Sequence, residues 1–328
     1  MKVVITGGTG FIGARLARRI LEKGSLAGPG GIQTQVDEVV LFDVVAPDSL
    51  PMGLDGEVTM VAGDISDKAT VDRLIDRDDV SVFHLASVVS GGGEKDFDMA
   101  IRVNLTGGLN VFEALRARAS IPRLVFASSI AVFGGDHMPA VVGDQGKQTP
   151  QTTYGMTKAC CELLINDYTR KGFLDGRSAR LPTVIVRPGV PNAAASSFAS
   201  GVFREPLKGE ACALPVKLDT VMPVLGYRNI VEGILALHEL APDTLGDDRA
   251  VSLPSLDVTV GEMGAALKRV AHNRQLGEIT VQPDPFIEAI VESWPVATED
   301  ARALALGLPK DKSVDDIVRH YIEDYDHG

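Results

Sequence analysis

Eight residues, Thr6-Gly7-Gly8-Thr9-Gly10-Phe11-Ile12-Gly13, separate the β-branched run Val3-Val4-Ile5 from an amphipathic stretch that begins at Ala14. A chain can leave a buried strand and enter a helix this abruptly only where Cβ atoms do not obstruct the turn. Gly7, Gly10 and Gly13 divide the work. One allows the tight turn, one lets a pyrophosphate approach backbone N–H groups, and one lets the helix pack on the strand. Phosphates placed there meet the positive end of the helix dipole. The spacing is G-x-x-G-x-x-G rather than G-x-G-x-x-G, and on its own such a turn also suits a plain loop.

The rest of the amino-terminal half repeats the strand–helix alternation. Ala14 to Lys23 reads as a helix with Leu16, Ile20 and Leu21 on one side. Gly24 to Gln35 reads as a loop insertion. Strands are predicted at Val39–Asp43, Val58–Val61, Val80–Leu85, Leu124–Ala127 and Thr183–Val186. These runs are apolar without alternation, which suits strands buried on both faces. The expected fold is α/β: a doubly wound parallel Rossmann sheet with a small C-terminal α+β substrate-binding cap. The regularity ends after Arg187-Pro188-Gly189. The expected division is a dinucleotide-binding domain over 1–188, rejoined by about 226–254, and a cap over 189–225 and 255–328. Ser313-Val314-Asp315-Asp316 predicts the start of a last helix running through Tyr321.

Within such a sheet, carboxyl ends of strands carry the ligand contacts. Asp43 ends the second strand, where a carboxylate can accept hydrogen bonds from the adenosine ribose and repel a 2′-phosphate. Val44-Val45-Ala46-Pro47 supplies no compensating arginine, so NAD is expected rather than NADP. Asp64 follows the third strand and Leu85-Ala86-Ser87 the fourth. Tyr154 and Lys158, four apart, share a helix face. A free phenol titrates near 10, and a neighbouring ammonium stabilises the phenolate. Bringing the phenol to about 7 takes roughly 4 kcal/mol, which Lys158 and a nicotinamide cation together can supply. Tyr154 would then be the general base for a substrate hydroxyl. Ser129 ends a strand at the same sheet edge and can orient that hydroxyl.

These segments resemble the extended, epimerase-like branch of the short-chain dehydrogenase/reductase superfamily. The resemblance covers nearly the whole chain. It rests on Thr6 to Gly13, Phe83-His84-Leu85-Ala86-Ser87, Asn104, Ser128-Ser129-Ile130-Ala131-Val132-Phe133-Gly134, Tyr154-Gly155-Met156-Thr157-Lys158 and Arg187-Pro188-Gly189. It implies a catalytic triad of Ser129, Tyr154 and Lys158, with Lys158 also on the nicotinamide ribose and Asn104 supporting the site. NAD is accordingly expected at Gly7, Gly10, Phe11, Ile12, Gly13, Asp43, Asp64, Ile65, Leu85, Ala86, Ser87, Asn104, Tyr154, Lys158, Pro188 and Val190. Substrate is expected at Ser129, Asn192, Ser196, Ser197 and Arg228, and no metal.

Departures from the family narrow the chemistry. Members that expel water or carbon dioxide carry a carboxylate just after the catalytic Ser or Thr; here those positions are Ile130 and Ala131. Sugar-nucleotide epimerases need no such acid, but they need cations for a diphosphate. The 190–230 stretch offers Arg204, Lys208, Lys217 and Arg228, which equally suit surface salt bridges. A closer likeness, over Cys161 to Phe173 and Arg187 to Phe198, is to dehydrogenases that oxidise a four-carbon sugar acid at C2. Those enzymes look to carry an Arg-x-Trp near Val221-Met222-Pro223 and a Ser-Pro-Arg near Gly226-Tyr227-Arg228; only Arg228 survives. The expected function is NAD-dependent oxidation of a secondary hydroxyl on a small polyhydroxy acid. A sugar-nucleotide epimerase is the alternative, and a non-catalytic NAD-sensing protein a weaker one.

A net charge of -12 gives no basic footprint, so neither nucleic acid nor an anionic membrane is an expected partner. No stretch reaches about 18 uninterrupted apolar residues. Three cysteines, two of them adjacent, make a poor disulfide framework and point to the cytoplasm. The apolar side of Tyr154–Tyr168, with the helix near 101–116, suggests a homodimer, though core packing explains it equally well.

Overall fold

A computed structural model describes residues 1–326; residues 327 and 328, the end of the expected cap, lie outside them. The glycine turn joins β1 (Lys2–Thr6) to α1 (Phe11–Lys23), which stops at Gly24 with φ 69. The expected loop that follows is instead a hairpin, β2 (Ser25–Ala27) antiparallel to β3 (Gln33–Gln35). Gly30 and Gly31, at φ 73 and 80, close its turn, and Leu26 is buried in the core, which gives the hairpin an inner side.

Then come β4 (Glu38–Asp43), β5 (Thr59–Ala62), α2 (Lys68–Leu74), β6 (Val80–His84), α3 (Ser90–Lys95) and α4 (Phe97–Ala100). A π-helical turn, Ile101–Thr106, leads into α5 (Gly107–Arg116), β7 (Arg123–Ser129), α6 (Thr153–Arg170) and β8 (Asp175–Leu181). The remainder runs β9 (Thr183–Ile185), α7 (Phe198–Leu207), β10 (Cys212–Leu214), β11 (Val221–Gly226), α8 (Tyr227–Glu239) and β12 (Ala250–Ser252). It ends with β13 (Leu256–Thr259), α9 (Val260–Ala271), β14 (Ile279–Val281), α10 (Pro285–Glu292), α11 (Ala301–Ala305) and α12 (Val314–Tyr325).

Seven strands form one parallel sheet in the order β12-β8-β7-β6-β1-β4-β5. From β1 the chain builds outward through β4 and β5, then returns to β6 and builds the other way. The reversal leaves a crevice at the carboxyl ends of β1 and β6, where open α/β sheets bind ligands. One face of the sheet packs on α1 and α8 through Leu16, Ile20, Ile230 and Ile234. The other packs on α2, α5 and α6 through Val71, Val111, Phe112, Cys161 and Ile165.

The last β-branched run, Thr183–Ile185, does not join this sheet. It pairs with β11 in a three-stranded sheet of order β13-β11-β9. The place expected for it belongs to β8, whose sequence Asp-Gly-Arg-Ser-Ala-Arg-Leu hides a buried strand behind charge. Burial is tolerated because the charges are paired. Asp175 accepts from Arg177 at 2.7 Å and from Arg249 at 2.5 Å, and Arg180 donates to Glu162 at 2.8 Å.

The three-stranded sheet, the parallel pair β10–β14 and helices α7, α9, α10 and α12 enclose a second core around Phe203, Met222, Met263, Leu267 and Ile317. Between visits to it, α8 and β12 return to the large sheet.

Candidate active site

The turn after β1 is built without side chains. Gly7 sits at φ +69, and a Cβ there would lie 2.9 Å from the Ala86 nitrogen. A Cβ on Gly13 would fall on the Gly7 carbonyl oxygen, so only glycine lets α1 start against the turn. Gly10 caps α1 with no side-chain hydrogen bond, and no acidic residue occupies the first turn. The first N–H groups of α1 therefore face outward for an anion. Asp43 Oδ2 accepts from Thr9 Oγ1 at 2.7 Å and Thr9 N at 3.2 Å, which ties the end of β4 to the turn. These features fit the pyrophosphate and ribose of a dinucleotide.

A second close approach joins β7 to α6. Thr152 caps α6 by accepting from the Gly155 N–H at 3.1 Å. A Cβ on Gly155 would overlap the Ala131 carbonyl oxygen, so this glycine seats the first turn of α6 on the segment that follows Ser129. Ser129 and Tyr154 consequently line one cavity of about 400 Å³. Lys158 lies behind them, with Nζ donating to Ala127 O at 2.7 Å and standing 5.5 Å from the Tyr154 ring centre. Burial pushes Lys158 down to about 8. Burial also pushes the Tyr154 phenol up, and its hydrogen bond with Ser129 pulls the other way. The chain alone thus holds Tyr154 above the ordinary phenol value, contrary to the lowering expected from Lys158. The desolvation that isolates the site opposes the charge that would activate it.

Asn104 works from the second rank. Its Oδ1 accepts from Val88 N at 2.7 Å, and its Nδ2 donates to Val88 O at 3.0 Å and to Thr157 Oγ1 at 3.2 Å. It braces the segment after β6 against α6.

The cavity gathers Gly7, Gly10, Phe11, Ile12, Gly13, Leu85, Ser129, Tyr154, Asn192, Ser196 and Ser197 among the expected residues. Asp43, Asp64, Ile65, Ala86, Ser87, Asn104, Lys158, Pro188 and Val190 are not in its wall. Asp64 is turned to Ser66, whose N–H and hydroxyl it accepts at 2.8 and 2.7 Å. Ile65 is buried where it meets Gly107.

Arg228 is also outside the wall, and it is engaged elsewhere. It opens α8, which turns back to the large sheet, and it pairs with Asp324 at 2.6 Å and Glu323 at 3.0 Å on α12. Its guanidinium is thus held by carboxylates of α12, apart from the cavity that holds Ser129 and Tyr154. Two other arginines reach the cavity, Arg187 and Arg204. Arg204 is 1% exposed, not a surface cation; it bonds Arg187 O at 2.9 Å and Glu205 Oε1 at 2.5 Å. Arg187 Nη1 donates to Val190 O at 2.6 Å, its backbone N–H donates to Ser200 Oγ at 2.9 Å, and its other guanidinium nitrogens are unengaged among the described residues. Burial and the Arg204 charge both push Arg187 down. Trp294 completes the wall from beyond α10. Arg187 had a sequence signal in Arg187-Pro188-Gly189; Trp294 had none beyond being the sole tryptophan.

Residues 3–247 match the NAD dependent epimerase/dehydratase family. Over 324 residues the sequence is 47% identical to a D-erythronate dehydrogenase of Cupriavidus necator, covering 99% of this chain and 98% of that one. A D-erythronate dehydrogenase of Haemophilus influenzae is 38% identical over 323 residues, 98% of this chain and 99% of that one. The fold matches the crystal structure of the nucleoside-diphosphate-sugar epimerase from Agrobacterium tumefaciens with a TM-score of 0.89 at 37% identity, covering 99% of this chain and 94% of that one.

Proposed function

The chain belongs to the NAD dependent epimerase/dehydratase family, and from that footing we propose that it is a dehydrogenase that oxidises D-erythronate to 2-oxo-D-erythronate. The observation that carries this reading is the charge in the cavity. Arg204 is matched by Glu205, whereas Arg187 faces the same space as Ser129 and Tyr154 with no carboxylate partner among the described residues. One unmatched positive charge suits one substrate carboxylate. A nucleoside diphosphate asks for more. The two D-erythronate dehydrogenases, alike over nearly their whole length, support the same substrate.

In this reading Arg187 anchors the carboxylate and Asn192, Ser196 and Ser197 meet hydroxyl groups. Ser129 holds the reacting oxygen, and Tyr154 takes its proton. NAD, when bound, accepts the hydride. Lys158 opposes the burial of Tyr154 with its charge and would bond the nicotinamide ribose. Gly7, Gly10 and Gly13 hold the pyrophosphate, with Asp43 at the adenosine side. Ile130 and Ala131 offer no acid, so the reaction stops at the ketone. The cofactor domain is 1–188 with about 226–254. Two chains would pair through α5 and α6, where Leu163 is 64% exposed. No helix among the described residues is long and apolar enough to cross a membrane, and a reduced cytoplasm suits the free Cys160, Cys161 and Cys212.

The test is to incubate the protein with NAD and a panel of four- to six-carbon aldonates, free sugars and UDP-sugars, and to follow NADH. D-erythronate should give the fastest NADH formation. Interconversion of a UDP-sugar without NADH would overturn the reading in favour of an epimerase, the activity named for the Agrobacterium structure.

A further inference from the structure

Trp294 is 9% exposed, yet its Nε1–H has no hydrogen-bond partner among the described residues. An indole nitrogen can only donate. Leaving such a donor buried and unpaired is costly, and native structures rarely do so without a purpose. Trp294 is also among the residues that line the cavity that holds Ser129 and Tyr154. Its backbone is fixed: Trp294 N donates to Val291 O at 3.1 Å, and Ser293 Oγ to Ile290 O at 2.7 Å, closing the end of α10. A Cβ on Gly134 would lie 2.9 Å from Ser293 O, so the segment rests directly on the chain that follows Ser129. Ile130 and Ala131 there are apolar and offer a substrate no side-chain donor.

We propose that Trp294 is a specificity-determining residue whose Nε1–H donates to an oxygen of the bound sugar acid other than the one that reacts. The inference rests on the functional reading above. It selects polyhydroxy acids with an acceptor at that place against deoxy analogues, because a donor built into a dry wall is left unpaired by a ligand that lacks the oxygen. The indole takes no part in proton or hydride transfer; it discriminates by position.

Trp294→Phe keeps an aromatic ring and removes the donor. Wild type and variant are compared on whichever panel member the wild type turns over fastest. If that is not D-erythronate, the functional reading falls while the comparison still decides Trp294. The expected result is a KM for that substrate raised roughly ten- to a hundredfold, with the KM for NAD changed by less than about twofold. An unchanged substrate KM would overturn the proposal and leave the ring a packing residue. Should the variant not fold, Tyr154→Phe serves, since it retains the sole tryptophan and, with the proposed base removed, should bind the sugar acid without turning it over. With NAD already saturating, tryptophan emission should change saturably as the sugar acid is added and stay flat with its deoxy analogue. A flat response to both would equally overturn it.

Discussion

Lys158→Met removes an ammonium and keeps an unbranched side chain of similar reach. The ammonium stands 5.5 Å from the Tyr154 ring centre. At an effective dielectric of about 20, opposite unit charges at that distance attract by about 3 kcal/mol. At ~1.4 kcal/mol per pH unit, that is about two units of proton affinity at the phenol. The sign follows from the charge: without the cation the phenolate is less stable, and burial already favours the neutral phenol. The rising limb of the rate–pH profile should therefore move to alkaline pH by about two units, with roughly a hundredfold loss at a fixed pH on that limb. Burial holds Lys158 down to about 8, so its help is fully present below that pH and fades above it. The wild-type advantage should be largest below pH 8 and narrow as the medium grows more alkaline. The assay is initial NADH formation at saturating sugar acid across neutral to alkaline pH, with the NAD KM measured at each point. A wild-type to variant ratio that stays constant with pH would refute the electrostatic argument and leave Lys158 a positioning role.

Gly13→Ala places a methyl against the Gly7 carbonyl, which as backbone cannot step aside; NAD should then lose its effect on Tm, where at a hundredfold excess over Kd it would otherwise stabilise by about 2.7 kcal/mol. Arg187→Met should raise the KM for D-erythronate roughly ten- to a hundredfold while sparing the NAD KM, and an unchanged KM would remove Arg187 as the carboxylate anchor. Arg180→Met strands Glu162, whose side chain is 2% exposed; denaturant unfolding should show a loss of about 3–5 kcal/mol, as for other broken buried pairs. Burial raises Asp324, but hydrogen bonds from Arg228 and Tyr227 prevail and bring it down to about 2. A depressed carboxylate stabilises the fold above its unfolded value of about 4 and loses that contribution as pH falls toward 2. Acid unfolding of Asp324→Asn should therefore lack this component, while its neutral-pH stability is lower than wild type.

Local chemistry was legible where a residue type admits few reasons. Gly7, Gly10 and Gly13 mark a turn that a Cβ would block, and the structure builds that turn between β1 and α1. Ser129 and Tyr154, read from a strand end and a helix face, meet in one cavity. What stayed hidden depends on partners distant in sequence. Arg180 looks like a solvent residue until Glu162 and Asp144 are brought beside it, which hides β8 in the sequence and makes Thr183–Val186 the more visible strand. Arg228 sits near the cap in sequence, but the direction of α8 sends it to Asp324. Arg187 and Trp294 converge only after the chain has crossed between its two cores.

That crossing bears on how such a protein can be remodelled. The wall opposite the glycine turn draws on Asn192 to Arg204 and on Trp294, and between these lie α8 and β12, which belong to the large sheet. No single cassette carries the recognition surface. A graft of 183–226 from a relative would arrive without the α9 and α12 faces that α7 and β11 pack against, and a graft of 255–326 would arrive without α7. Exchange of specificity by recombination would have to move both segments at once across an unchanged α8, a double crossover in which either half alone is a misfit.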